Sequence, residues 1–179
     1  MLPAMSLPTE TQTWHRDAFI ISTDKNLLSI TSINAAFGSE FMYWTTSIPD
    51  QVLKQIIQNS FCFGLYKTPS NQQQEASAGG KDYEQIGFAR LVTDSVTFAY
   101  LTDVYVLPEY QGVGLGGWLL DCVDESLEAL PYLRWTMLRT SSQRSRDSYE
   151  RRMGMSVLSV GEVGDGPVMM GKKGKGGRV

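Results

Sequence analysis

Apolar residues along the chain form short runs bounded by turn-forming residues, which is the pattern typical of strands. The run from Ala99 to Leu107 is the clearest, because Pro108 and Glu109 end it abruptly. The pattern predicts seven strands, at residues 19–22, 61–66, 85–93, 96–107, 133–140, 157–160 and 168–170.

Apolar residues three and four positions apart predict four helices. A capping box at Ser47 precedes the second helix. Pro131 ends the third helix, and Gly154 lies just past the end of the fourth helix. The helices are expected at about residues 23–37, after Ser47 through Val52–Ile57, at 112–130 and at 142–153. This order of elements predicts an α/β fold with a mixed sheet and helices on both faces.

A chain of 179 residues with 42% hydrophobic residues is expected to form one domain with a sizeable core. We assign residues 17–171 to that domain and residues 1–16 to a flexible N-terminal arm. Residues 67–83 are rich in Gln, Ser, Gly and Ala, which predicts a mobile hairpin loop. Residues 172–179 are expected to form a basic disordered tail.

The net charge is −3, but it is distributed unevenly. Four of the 16 basic residues lie in the last eight positions, so the rest of the chain has 12 basic and 19 acidic residues. An acidic body argues against a nucleic-acid partner and mildly favours a cationic amine.

The chain has two cysteines, Cys62 and Cys122, and one histidine, His15. Both cysteines lie in apolar patterns and are expected to be buried. So few ligands predict no metal site and no Cys–His nucleophile. Neither an apolar run of 18 residues nor a leader pattern occurs, so we expect no membrane segment and a cytoplasmic location.

A glycine-rich turn joins the strand that ends near Leu107 to the third helix, and such a turn can bind a phosphate. It satisfies the dinucleotide fingerprint literally, but no Asp or Glu follows in the region around Arg134–Arg139. A second candidate, the P-loop-like run from Gly166 to Lys172, has Lys173 where Ser or Thr is needed and no helix after it.

The remaining pattern is Q/R-x-x-G-x-G/A, formed by Gln111, Gly114 and Gly116. With the strand before it and the helix after it, the segment resembles the acetyl-CoA-binding motif of the GNAT superfamily of N-acetyltransferases. The strands at 61–66, 86–92 and 99–108 and the run Ser148–Met155 extend the similarity over about residues 17–160.

The resemblance implies a mostly antiparallel sheet of six to seven strands with a V-shaped splay between central strands. It also implies acetyl-CoA as co-substrate and no metal. The residues expected to hold the cofactor are the freed backbone of Val104, Tyr105 and Val106, the turn Gln111, Gly112, Val113, Gly114, Gly116 and Gly117, and the hydroxyl of Ser142.

Tyr149 stands where family members often carry a tyrosine near the thioester sulfur, so we assign it the catalytic role. Tyr149 is followed by Gly154 one residue later than in the common spacing, which leaves Glu150 as an alternative occupant of that position. A core tyrosine with no chemical role is the other interpretation.

The acceptor pocket is expected to involve Tyr43, Trp44, Arg90 and Asp103. Packing in the core explains the two aromatic residues about as well as contact with the acceptor does. Asp103 and Glu109 are candidates for the base that deprotonates the amine, although each is better explained as a solvated surface carboxylate.

The whole pattern predicts an N-acetyltransferase that moves an acetyl group from acetyl-CoA to an amine by direct attack in a ternary complex. The alternative is a non-catalytic acyl-CoA-binding or sensing protein with the same fold. The acceptor is a small-molecule or peptide amine that the sequence does not identify further. The sequence is compatible with a homodimer.

Overall fold

The computed structural model describes residues 5–69, 83–158 and 168–173. The helices are α1 (Ile30–Phe37), α2 (Asp50–Gln58), α3 (Leu115–Glu128) and α4 (Gln143–Met153). The strands are β1 (Thr13–Arg16), β2 (Phe19–Ser22), β3 (Phe61–Lys67), β4 (Glu84–Thr93), β5 (Phe98–Val106), β6 (Trp135–Thr140), β7 (Ser156–Val157) and β8 (Val168–Lys173).

The strands form one mixed, mostly antiparallel sheet in the order β1-β2-β3-β4-β5-β6-β8-β7. The pairing of β5 with β6 is parallel and is registered at Phe98–Tyr100, so the second half of β5 lies beyond the registered pairs. The predicted α/β class and the mixed sheet are confirmed.

The described residues form eight strands rather than the predicted six to seven, because part of the predicted N-terminal arm is a strand. Thr13–Arg16 form β1, which pairs antiparallel with β2. The Trp14 ring also packs near β3, with its centre 6.0 Å from that of the Phe63 ring. Farther upstream, Leu7 is buried and its amide donates to Ser95 at 2.8 Å.

The predicted basic tail also begins too early. Lys172 and Lys173 belong to β8, which pairs with β6. Lys172 is held there by Asp124 at 2.7 Å and Glu128 at 2.6 Å. Residues 174–179, and residues 70–82 of the predicted mobile loop, lie outside the described part of the chain.

Local capping moves two predicted helix starts. Asp24 caps a short 3-10 turn, and Ser29 then caps α1 by accepting from the Ser32 amide at 3.1 Å. The third helix begins at Leu115, because Gly112 and Gly114 have φ of +85° and +84°, which no α-helix contains. The limits of α4 match the prediction, with Ser142 at its start and Gly154 in a left-handed conformation at its end.

Two compact units divide the chain, and β4 and β5 contribute residues to both. The first comprises residues 10–90 and 103–115, and the second comprises residues 1–9, 91–102 and 116–179. The first unit has a continuous apolar cluster built from α1, α2 and strands β3–β5: Ile33, Ala36, Phe37, Met42, Leu53, Ile57, Cys62, Phe88 and Tyr105. In the second unit the fully buried side chains include Leu119 and Leu127 of α3.

Candidate functional site

The glycine-rich turn lies between β5 and α3 and begins with a short 3-10 turn, Pro108–Tyr110. Gln111 anchors the turn, since its side-chain amide donates to the Val106 carbonyl at 2.8 Å. Residues 111–114 are exposed, whereas Leu115 is buried. The positive φ of Gly112 and Gly114 is available to glycine at little cost, and it turns the chain into the helix start.

Tyr110 fixes the position of this turn within the first unit. Its hydroxyl donates to Glu84 at 3.0 Å, and the Lys67 ammonium lies 5.5 Å from the centre of its ring. The ring also meets Phe19 edge-on at 6.5 Å. Burial and the bond to Glu84 raise the pKa of Tyr110, so the phenol stays protonated and continues to donate.

In the second unit, a cation lies against the first turn of α3. A Cβ added at Gly117 would collide with the guanidinium of Arg152, so the absence of a side chain at Gly117 admits that group. Arg152 is held by Asp121 at 2.7 Å. The amides at a helix start have no intrahelical acceptor. Amide N–H groups and guanidinium groups together are the donors that suit a diphosphate, so the residues present fit the anionic part of CoA.

Strand β5 is irregular at Asp103, which has φ of +54° in the middle of the strand. This conformation costs a non-glycine residue about 1–2 kcal/mol, and such strain concentrates at functional sites. The irregularity immediately precedes Val104, Tyr105 and Val106, the segment whose backbone is predicted to hold the cofactor.

An ion pair within the first unit holds Asp103 in place. Arg90 donates from Nε to Asp103 at 2.5 Å and from Nη1 to Ser60 at 3.1 Å. The two charged side chains are only 17% and 10% exposed. The structure thus brings together two predicted acceptor residues, but they bind each other. An Asp103 carboxylate that already accepts from a guanidinium is poorly suited to act as the amine's base.

The aromatic residues that follow α1 separate into a buried and an exposed group. Phe41 packs on the apolar cluster, with its ring 6.1 Å from that of Tyr105. Tyr43 and Trp44 are 68% and 47% exposed, and their rings meet edge-to-face at 5.0 Å. Core packing therefore explains Phe41 but not the two exposed rings.

Tyr149 and Glu150 differ in exposure on α4 of the second unit. Tyr149 is half-buried, whereas Glu150 is exposed. Tyr149 precedes the buried Met153 by four residues, so both lie on the inner face of the helix. Ser142 accepts from the Ser145 amide at 3.3 Å, and a hydroxyl that accepts in this way can still donate.

Both thiols are buried, as the sequence predicts, and are poor nucleophiles. Burial raises the pKa of Cys62 to about 12, against the opposing effect of Lys25 and Arg90. Burial, with Glu125 and Asp121, likewise raises the pKa of Cys122 to about 12. Thiols in this state offer no covalent route for acyl transfer.

The described residues contain no group of three or more His, Cys, Asp or Glu side chains placed to hold a metal ion. No helix in this part of the chain is long and apolar enough to cross a membrane.

Comparison with known proteins identifies the family. Residues 42–155 match the model of the acetyltransferase (GNAT) family. A Gibberella zeae protein described as a candidate acetyltransferase is 37% identical over 170 residues, covering 89% of this chain and 96% of that protein. The chain therefore belongs to the GNAT family of acetyltransferases.

Solved structures agree in fold. A candidate GNAT acetyltransferase from Xanthomonas campestris is 30% identical with a TM-score of 0.61, covering 83% of this chain and 94% of that one. A spermidine N-acetyltransferase from Vibrio cholerae, in complex with CoA and spermine, is 12% identical with a TM-score of 0.60. That match covers 88% of this chain and 96% of the Vibrio cholerae chain.

Proposed function

We propose that this protein is an N-acetyltransferase that transfers an acetyl group from acetyl-CoA to an amine in a ternary complex. The observation that carries the proposal is the exposed glycine-rich turn, in which Gly112 and Gly114 have positive φ just before the start of α3. Family membership supports acetyl-CoA as the donor, and the two buried thiols argue for direct attack rather than an acyl-enzyme.

The turn from Gln111 to Gly117 would hold the diphosphate of CoA through the backbone amides that follow Gln111, because the Gln111 amide itself already donates to the Pro108 carbonyl at 3.2 Å. Each amide bond to a charged oxygen contributes about 1.5–3 kcal/mol, whereas the dipole of an exposed helix adds about 0.3–1 kcal/mol. Ser142 would add a hydroxyl contact. Acetyl-CoA supplies an activated acyl group as a thioester, and the backbone at Val104–Val106 would donate to its carbonyl oxygen.

Tyr149 would assist departure of the thiolate. A phenol with pKa of about 10 gives its proton to a thiolate of about 8.5 at a cost of about 2 kcal/mol, so donating a hydrogen bond is easier than full transfer. The half-buried position of Tyr149, beside an exposed Glu150, favours the tyrosine for this role.

The acceptor would approach the exposed pair Tyr43 and Trp44 of the first unit. Their rings can bind the apolar or cationic part of an amine, and the acidic body of the chain favours a cationic molecule. Named acceptors among proteins of this fold include spermidine and a ribosomal-protein alanine. A small-molecule or peptide amine is accordingly the proposed substrate class.

A panel of amines tests the proposal. The protein is incubated with acetyl-CoA and polyamines, amino-acid amides, N-terminal peptides or aromatic amines, and free thiol is measured. We expect amine-dependent thiol release with at least one class. CoA binding is measured in parallel by calorimetry. Tight CoA binding without turnover on any amine would favour the non-catalytic acyl-CoA-binding alternative.

A further inference from the structure

We propose that Arg16, the last residue of β1, is a phosphate-binding residue of the CoA site, an assignment that rests on the proposed function. Its guanidinium lies beside the glycine-rich turn, although 98 residues separate it from Gly114 in sequence. Nη1 approaches the Gly114 carbonyl at 3.4 Å. A Cβ added at Gly114 would lie 3.6 Å from Nη2 and 3.7 Å from Nη1.

The β1–β2 hairpin fixes the backbone of Arg16. Arg16 is registered opposite Phe19, and the two residues between them include Asp17, with φ of +51°. β2 is in turn paired with β3. A residue at the end of a paired strand has little backbone freedom, so only the exposed side chain can move.

The same hairpin is tied to the turn by an aromatic contact. Phe19, the register partner of Arg16, meets the ring of Tyr110 at 6.5 Å. Tyr110 immediately precedes Gln111, and Glu84 and Lys67 also hold it. Tyr110 thus contacts the hairpin and directly precedes the turn, on the side where Arg16 lies beside Gly114.

The chemistry of this meeting favours a phosphate. The contact between Nη1 of Arg16 and the neutral Gly114 carbonyl is long, at 3.4 Å. A phosphate presents several charged oxygens that match the planar donor fork of arginine, and such pairs are frequently bidentate. Gly114 also offers no side chain to block the approach, so a phosphate on the turn amides would come within reach of Arg16.

Binding of CoA by an Arg16→Ala variant tests the assignment. Calorimetry at low salt compares wild type, Arg16→Ala and Arg16→Lys, with Arg134→Ala, an exposed arginine immediately before β6, as the control. We expect Arg16→Ala to weaken CoA binding about tenfold, and Arg16→Lys to lie between it and wild type. The Arg134→Ala variant should bind as wild type does.

Two further measurements separate phosphate binding from a purely structural role. The affinity of Arg16→Ala should depend less on salt than that of wild type, because one screened charge pair is lost. Dephospho-CoA, which lacks the 3′-phosphate, identifies the phosphate involved. An equal loss with both ligands assigns Arg16 to the diphosphate, and a loss confined to CoA assigns it to the 3′-phosphate.

Wild-type affinity in Arg16→Ala, with an unchanged salt dependence, would overturn the assignment while leaving the proposed function intact. If Arg16→Ala unfolds, Arg16→Lys decides, since lysine keeps the charge and loses the fork: unchanged affinity at every salt concentration overturns the assignment. Failure of the wild-type protein to bind CoA would refute the proposed function itself, and this assignment with it.

Discussion

Turns lie at both ends of the β4–β5 strand pair, but the surroundings of their backbone amides differ. At the hairpin between the strands, Asp94 accepts from the amides of Val96, Thr97 and Phe98, and from the Thr97 hydroxyl. At the other end of β5, the chain enters the exposed glycine-rich turn. A turn whose carboxylate already accepts from its amides repels an anion, whereas glycines carry no side chain that could compete with an anion for their amides.

Backbone strain differs in the same way. Ser95 has φ of +67° within the hairpin turn, where left-handed conformations are ordinary. Asp103 has φ of +54° inside β5, where a ladder residue would be extended. The first is local turn geometry, while the second needs Arg90 and Ser60 to hold it. The left-handed conformation is thus ordinary in the hairpin and unusual inside β5, just before the segment proposed to hold the cofactor.

Substitution of Gly114 should have the largest effect, on CoA binding at the glycine-rich turn. Gly114→Glu adds a carboxylate where phosphate is proposed to bind and forces a side chain onto φ of +84°. We expect CoA-dependent thermal stabilisation to disappear while the protein remains folded. NAD(H) should give no shift with the wild type, whereas a clear shift would revive the dinucleotide interpretation of the turn.

Gly154→Ala is the control for strain in that experiment. Gly154 also has positive φ, at the end of α4, and a Cβ there meets only ordinary contact with Lys172. This variant should lose about 1 kcal/mol of stability and keep CoA binding. Stabilisation of Gly114→Glu by CoA would show that the turn does not hold the cofactor.

Tyr149→Phe should have the next largest effect, on turnover. Removing a hydrogen bond made mainly in the transition state lowers kcat and leaves acetyl-CoA affinity nearly unchanged. We expect a decrease of about 10²-fold in steady-state assays, at the low end for acid catalysis, because full proton transfer is uphill. Glu150→Gln is the control; a fully active Tyr149→Phe beside an inactive Glu150→Gln would shift the assignment by one residue.

The sequence predicted the elements whose signals are local. Ser142 and Gly154 delimit α4 as expected, because caps act within one turn. β1 was missed, since Thr13–Arg16 have no strong strand pattern and gain their stability by pairing with β2. Lys172 looked like part of a solvated tail, although Asp124 and Glu128, more than 40 residues earlier, place it in the sheet.

The residues of the candidate site differ in the same way: some have a local sequence signal, and others depend on contacts made only in the fold. The glycine motif is contiguous and was found from sequence, together with Gln111. The pairing of Arg90 with Asp103 was not, because each charged residue also suited a substrate contact and only the folded sheet shows that they face each other. Arg16 gave no local signal, since its place beside Gly114 depends on three strands and on Tyr110.

Asp94→Asn should give the smallest effect, confined to stability. Hydrogen bonds from the Thr97 side chain and from three amides lower the pKa of Asp94, so the ionised form stabilises the fold. We expect a loss of about 1 kcal/mol at neutral pH, since the group is exposed and water replaces part of the bonding. CoA affinity should not change.

The pH dependence of that loss has a definite sign. A carboxyl whose pKa is lowered by folding contributes its stability above the unfolded value of about 3.9 and loses it as the pH falls. Urea unfolding of wild type and Asp94→Asn should therefore diverge above about pH 4 and converge below it. A difference that is constant with pH would show that the Asp94 charge is not what holds the hairpin.

Amide hydrogen exchange, measured with and without CoA, tests most directly whether the glycine-rich turn is the cofactor site. CoA should slow exchange across Gly112–Gly117, whose amides would then donate to phosphate, whereas the Gln111 amide already donates to the Pro108 carbonyl. It should leave Val96, Thr97 and Phe98 unchanged, since Asp94 already binds their amides. Binding of CoA with no protection at residues 112–117 would contradict the account.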